Sequence, residues 1–370
     1  MLFHSSIRKE LARSFVATLV VLFTIVLTML LVRTLGQAST GRVNPQEILL
    51  VLGYTVLGRM PTLLTLALFI SVVSTLSRMY RDSEMTIWLA SGMSLSHLLK
   101  PVMKFTLPIL MVSALLQMLA WPWTNQQISQ LRDRFEQRGD LDRVAPGQFR
   151  ESSDGRRVFF IEKGAEAGTG RNIFIYAIGP EGRESITTAR TGKIEWNNDQ
   201  QFLLLKEGQR LDINNMGQSL TLSKFQTYGV QVNQAKNQEA SGTPPWGIHT
   251  WDLWLNPTPI NKAELGWRIG LVLTTFNLVL LAVAMTHANP RVAKGGQLMT
   301  ALLTFMVYYN LVNVTKIWVA SGSMGIATSL VLLHLPVTLL ALVLLWLRQN
   351  NVSWRDLIKQ TRPAVIGAKA

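Results

Sequence analysis

Six uncharged, apolar stretches decide what this chain can become: 14–32, 60–77, 105–123, 269–288, 298–315 and 326–347. About 20 such residues span a hydrocarbon core of about 30 Å, because a helix rises about 1.5 Å per residue. A buried helix of a water-soluble protein can imitate one such run, but not six in two triplets. The sequence therefore predicts six transmembrane helices in a 3+3 arrangement. The first run follows Arg8, Lys9 and Arg13. It is longer than the about 7–15 residues of a secretory signal core, and no small-residue cleavage site closes it, so it reads as a retained anchor.

The 36 Lys and Arg against 22 Asp and Glu would suit a nucleic-acid binder, until their positions are read. Residues 124–268 hold 18 basic and 17 acidic side chains, so +13 of the net +14 flanks the apolar runs. Basic residues beside membrane spans set orientation. With the amino terminus inside, the inner loops and tail collect 14 cations. Arg33, Arg42, Arg59 and Lys316 fall on or near the other side. Both termini are then cytoplasmic, the large insert is extracytoplasmic, and no nucleic-acid partner is expected.

The insert begins with a polar helix continuing the third span from Thr124 to about Arg143. The period then changes to two: Leu220 and Leu222 alternate with polar neighbours, as do Tyr228, Val230 and Val232. Turn signals stand at 179–182, 197–199 and 214–217. About eight short strands fit, giving an all-β sandwich or jelly-roll-like unit. The runs 158–161 (VFFI) and 172–179 (NIFIYAIG) are apolar on both faces. They read either as sandwich core or as a groove for an acyl chain or a partner's strand. Trp246, Trp251 and Trp254 follow a polar stretch, 233–245, and suit the bilayer surface. The resulting division is 1–123 (spans one to three), 124–263 (insert with flanking helix and linker) and 264–370 (spans four to six and tail).

Chemistry is sparse. With no cysteine and five scattered histidines, thiol catalysis, iron-sulfur clusters and a metal site are not expected. Neither G-x-x-x-x-G-K-[ST] nor G-x-G-x-x-G occurs, so nucleotide is not held by either route; Lys193 after Gly192 lacks the rest of the motif. The apolar runs contain no carboxylate chain for a proton relay, and His334, the one ionisable group deep in a span, reads as a packing residue. No cofactor is assigned to this chain, and any energy for work comes from another subunit.

Two features remain. In the loop between spans two and three, Asp82 or Ser83 can cap a short helix, about 82–91, with Glu84 in its first turn and Gly92 ending it. Met85, Trp88 and Leu89 then share a face, either packing on neighbouring spans or lipid, or docking in the groove of a cytoplasmic motor. The isolated cations Arg33, Arg59 and Lys316 sit near the outer headgroup level, as snorkelling anchors or as ligands for a phosphorylated lipid.

The segment SEMTIWLASGMS, with six spans around a β-rich insert, resembles the LptF/LptG (YjgP/YjgQ) permease family. LVRTLGQA, APGQF, AELGWRI and NPR are similar to its LptF branch. The resemblance implies an ABC transporter subunit of the inner membrane that extracts lipopolysaccharide and passes it to a periplasmic bridge protein. It also implies an LptG-like permease as heterodimer partner, an LptB-like ATPase dimer binding ATP and Mg, and an LptC-like bitopic protein. Under it the helix with Glu84, Met85, Trp88 and Leu89 couples to the ATPase, the insert is a periplasmic jelly roll receiving acyl chains, and the gate at spans one and five matches Arg33 and Lys316. Arg59 has no matching motif. Outside this resemblance, a membrane-anchored periplasmic sensor or scaffold, a lipid-modifying enzyme and a lipoprotein permease are the rival readings.

Overall fold

The computed structural model describes residues 2–39, 43–91, 94–137, 149–151, 156–163, 169–179, 184–197, 200–213, 219–231, 244–286 and 294–350. Two compact units emerge: Met1–Arg33 with Leu49–Ile128 and Thr243–Ala370, and Thr34–Ile48 with Ser129–Gly242.

The first unit carries the expected six long apolar helices. They lie in α1 (Leu2–Ser39), α2 (Ile48–Arg81), α4 and α5 (Leu95–Leu115 and Trp121–Gln137, joined by a π-helical turn at Leu116–Ala120), α7 (Pro259–Met285), α8 (Lys294–Ala320) and α9 (Ile326–Gln349). Short α3 (Glu84–Ala90) and α6 (Thr250–Leu255) complete the set. The fourth span starts ten residues before the uncharged run, taking Glu264 and Arg268 into the buried helix. The polar extension of the third span is helical to Gln137; residues 138–143 lie outside the described set.

Burial is unequal. Two thirds of the apolar windows of α2 and α7 are buried, against 6% for α1 and about a fifth for the other three. The two buried helices form a spine, and the outer four turn apolar faces away from the chain. Lipid tails are as apolar as leucine, so spans are held together by close packing and by polar bonds. Thr65 and Thr275 join α2 to α7 through their hydroxyls at 2.7 Å. Pro61 lies inside α2, and its carbonyl accepts bonds from the Thr65 hydroxyl and from the Ser113 hydroxyl of α4, a polar tie between the two spans. Asn277 of α7 donates to Tyr308 of α8 at 2.8 Å and to the His334 carbonyl of α9 at 3.1 Å, while Thr338 donates to Asn277. His334 Nδ1 lies 2.7 Å from the Tyr308 hydroxyl and the residue is buried, the packing role read from the sequence.

At the end bearing α3, Arg348 of α9 donates to the carbonyls of Val283 (3.0 Å) and Ala284 (2.8 Å) and to the Tyr80 hydroxyl (2.9 Å). The first two are carbonyls of the last turn of α7, where the helix dipole favours a cation. Arg348→Gln removes charge-assisted bonds worth about 1.5–3 kcal/mol together. We expect a lower unfolding temperature by tryptophan fluorescence in detergent; no shift would mean that the cap is satisfied otherwise.

The second unit holds one antiparallel sheet in consecutive order: β1 (Arg150–Glu151), β2 (Arg157–Lys163), β3 (Thr169–Ile178), β4 (Glu184–Asn197), β5 (Gln200–Ile213) and β6 (Leu220–Gln231). The all-β insertion is as expected. Among the described residues it is built from six strands rather than eight, and three of them run 12–14 residues. The chain positions of the turn signals separate β3 from β4, β4 from β5, and β5 from β6, although Asn197 is the last residue of β4 and residues 180–182, 198–199 and 214–217 lie outside the described set. Phe159, Ile173, Ile175, Ala189, Leu203 and Leu205 form its core. The period-two stretch beginning at Leu220 is strand β6 as expected; Leu220 and Leu222 are 68% and 60% exposed on this edge strand, whereas Tyr228 and Val230 pack on the core. Val232 lies outside the described residues.

A crease crosses the sheet. The β2–β3 register shifts between Phe160 and Glu162, Asn172 has φ 48° and Glu207 has φ 54°. Arg190 stands between them, because the pairs Arg171↔Thr191, Ile173↔Ala189, Thr191↔Lys206 and Ala189↔Gly208 bracket that row. Left-handed non-glycine residues cost about 1–3 kcal/mol each, so the surrounding structure must impose this row. Two ties on it are visible: Asn172 donates to Glu162 at 2.7 Å, and Arg190 pairs with Glu207 at 3.3 Å.

Candidate functional site

At its α3 end the first unit gathers charge around one guanidinium. Arg78 of α2 bonds Glu10 of α1, Asp82 beyond α2 (2.9 Å) and Glu84 of α3 (2.9 Å). Ser83 adopts φ 61° without a side-chain capping bond, and its N–H donates to the Tyr80 carbonyl. It thus ends α2 in the left-handed turn that glycine usually supplies, and neither Asp82 nor Ser83 caps α3 through its side chain, because Asp82 is taken by Arg78. Gly92 lies outside the described residues.

The shared face of Met85, Trp88 and Leu89 is split. Met85 is 2% exposed in the main core and Trp88 packs against that core, whereas Leu89 and Ile87 are exposed. Of the two sequence readings for this face, packing on neighbouring spans describes Met85 and Trp88. The outward apolar surface of α3 is Ile87 with Leu89. Ile87 was overlooked because i, i+3, i+4 spacing finds a stripe without saying which way it turns.

At the opposite end lies a buried polar cluster. Glu264, 1% exposed, accepts bonds from Arg268 Nε (3.1 Å), Trp121 Nε1 (3.0 Å) and Lys316 Nζ (2.5 Å). Arg268, fully buried, also donates to Thr250 Oγ1 (2.7 Å) and to the carbonyls of Pro245, Trp246 and Ile248. Thr250 donates in turn to the Met118 carbonyl. Lys316 Nζ sits 4.6 Å from the centre of the Trp267 ring, which tilts against Trp121 at 5.1 Å. Two cations and one carboxylate leave one positive charge, and Lys316, a third exposed, carries it to the surface.

Of the three cations singled out in the sequence, only Lys316 belongs to this cluster. Arg33 and Arg59 are exposed and make no ion pair among the described residues. Glu264 and Arg268 stand in the sequence only within the family-like segment AELGWRI, because an apolar run bounded by its nearest charges stops short of them, and Trp121 only within the third run. A carboxylate and a guanidinium four residues apart, leading directly into an apolar run, was the available signal.

In the second unit the two-sided apolar runs resolve. Phe159, Ile173 and Ile175 face the core, while Phe160 and Phe174 on the other side meet exposed Phe149 at 4.8 and 6.1 Å between ring centres. Arg210 is held by Asp212 through bonds of 2.8–3.0 Å and by the Tyr228 hydroxyl; hydrogen bonding to Asp212 chiefly raises its pKa above the usual guanidinium value.

Trp246, Trp251 and Trp254 are exposed beside α6, presenting rings with Leu255 and Ile260. Among the described residues no group of His, Asp and Glu is arranged to hold a metal ion.

The family model for the lipopolysaccharide export system permease LptF/LptG matches residues 6–348. The lipopolysaccharide export system permease proteins LptF of Escherichia coli (strain K12) and of Shigella flexneri are each 29% identical to this chain over 305 residues, covering 81% of it and 82% of the relative. With six membrane-length helices, a separate antiparallel sheet inserted between the third and fourth, and a family match across nearly all of the chain, this multi-pass membrane protein belongs to the LptF/LptG family of lipopolysaccharide export permeases.

Proposed function

We propose that this chain is one half of the membrane part of an ABC transporter that lifts lipopolysaccharide out of the inner membrane and hands it to a periplasmic bridge protein. In this reading it pairs with an LptG-like permease above an LptB-like ATPase dimer, which holds ATP and Mg, and beside an LptC-like bitopic protein. Both termini and α3 are cytoplasmic and the β unit is periplasmic, as the 14-to-4 distribution of short-loop and tail cations supports.

The observation that carries the coupling step is the Arg78 junction. One guanidinium holds carboxylates of α1, of the α2–α3 turn and of α3, so a partner that tilts α3 through Glu84, Ile87 and Leu89 also pulls the base of α1. Because α1 is scarcely buried beyond that base, it is free to swing as a rigid rod and narrow a cavity shared with the related permease. Lipid enters beside α1 and α8, with Arg33, Arg59 and the surplus charge of Lys316 at its phosphates. Met85 and Trp88 keep α3 seated on the spans while it moves.

Glu84→Ala tests this. Its side chain is 42% exposed, so folding should survive. The assembled complex is expected to release about tenfold less lipopolysaccharide per ATP hydrolysed, equivalent to about 1.4 kcal/mol of lost coupling. Unchanged assembly, hydrolysis and release would remove Glu84 from the mechanism. For the lipid contacts Arg33→Gln is the cleaner variant, because reversing Lys316 would set a second carboxylate against Glu264.

A further inference from the structure

We propose that the cleft between α1, α2 and the start of α8 binds the phosphate headgroup of an anionic phospholipid from the membrane leaflet on the α3 side. This site differs in depth and residues from the phosphate contacts above and does not need the export reading to hold.

The cleft has a volume of about 940 Å³, within the range of small-molecule sites. Its lining changes character along its length. Lys9, Arg13, Arg78 and Arg81 lie towards the α3 end, and Ala17, Ile70, Val73 and Leu298 form an apolar wall deeper in the bundle. That gradient matches a phospholipid, with its charged head at the membrane surface and its chains inward. Lys9 and Arg13, one turn apart on α1, make no ion pair among the described residues, whereas Arg78 and Arg81 are already engaged by carboxylates. Four cations against Glu10, Asp82 and Glu84 leave one positive charge, the complement of one phosphodiester. Thr75 and Ser77 also line the cleft, and their buried hydroxyls have no hydrogen-bond partner among the described residues. A guanidinium grips two phosphate oxygens at once, so Arg13 is the principal ligand and Lys9 a point charge beside it.

The test uses the full chain in detergent, exchanged against mixed micelles of phosphatidylglycerol and phosphatidylcholine and read by native mass spectrometry. Wild type should retain phosphatidylglycerol over phosphatidylcholine by about tenfold, or about 1.4 kcal/mol. Lys9→Gln with Arg13→Gln should abolish the preference, while Lys100→Gln with Lys104→Gln, which removes the same charge elsewhere on the first half of the chain, should keep it. Ala17→Trp, filling the apolar wall with every charge intact, should also lose the lipid. Equal loss in both charge variants would reduce the effect to diffuse surface attraction and overturn the site. Retention by Ala17→Trp, or displacement by excess inorganic phosphate with no loss on filling the wall, would overturn a lipid ligand in favour of a free anion.

Discussion

Glu264→Ala is expected to destabilise the membrane unit by about 3–5 kcal/mol, the cost of breaking a buried pair and leaving its partner charged. Arg268 is fully buried, and its remaining bonds are to a hydroxyl and to carbonyls, none of which carries a countercharge. Trp121 and Lys316 lose an acceptor at the same moment. Removing both ions should be far milder: Glu264→Leu with Arg268→Met replaces the pair by apolar groups of similar volume, an exchange that is often neutral. Lys316→Met should cost about 1 kcal/mol at most, since that side chain is a third exposed. Unfolding in detergent micelles, followed by tryptophan fluorescence, separates these cases. A single Glu264→Ala variant within about 1 kcal/mol of wild type would mean that Arg268 finds another anion or water.

Gly208→Val should be nearly as damaging to the sheet. A Cβ built on Gly208 would lie 2.3 Å from Phe225 Cζ and 2.4 Å from the Thr188 carbonyl oxygen. The ring can turn aside, but the carbonyl belongs to the β4 backbone, which cannot yield without breaking the ladder at Ala189↔Gly208. Overpacking of this kind costs about 1–3 kcal/mol for small intrusions, and valine adds two methyls to the clash. Gly229, two strand positions past the paired Thr227, has nothing within 4 Å of a Cβ, so Gly229→Ala should be within about 0.5 kcal/mol of wild type. Limited proteolysis of the intact protein should cut the β unit faster in Gly208→Val and unchanged in Gly229→Ala. Equal resistance would show that the crease relaxes around the extra carbons.

The six spans were legible because length and apolarity are strong signals that tertiary packing rarely overrides. What charge concealed was less legible. An uncharged run begins only at Ile269, whereas the helix begins at Pro259, so the buried cluster at Glu264 lies in the part of the span that this criterion leaves out. The inserted β unit was readable from the change of period to two. Its strand count was not, because β4, β5 and β6 run 12–14 residues, longer than a count of short strands assumes. Stripe arguments recovered the composition of α3 and missed its rotation, which depends on the core that Met85 enters. The Arg78 junction joins residues 68 positions apart, and no local pattern announces it.

The spacing of Glu264 and Arg268 on a single helical turn also bears on what α7 needs from its neighbours. Four residues apart, the two opposite ions neutralise each other within α7 alone, so the helix does not depend on any other segment to offset its buried carboxylate, and Lys316 of α8 adds a tie to a pair that is already balanced.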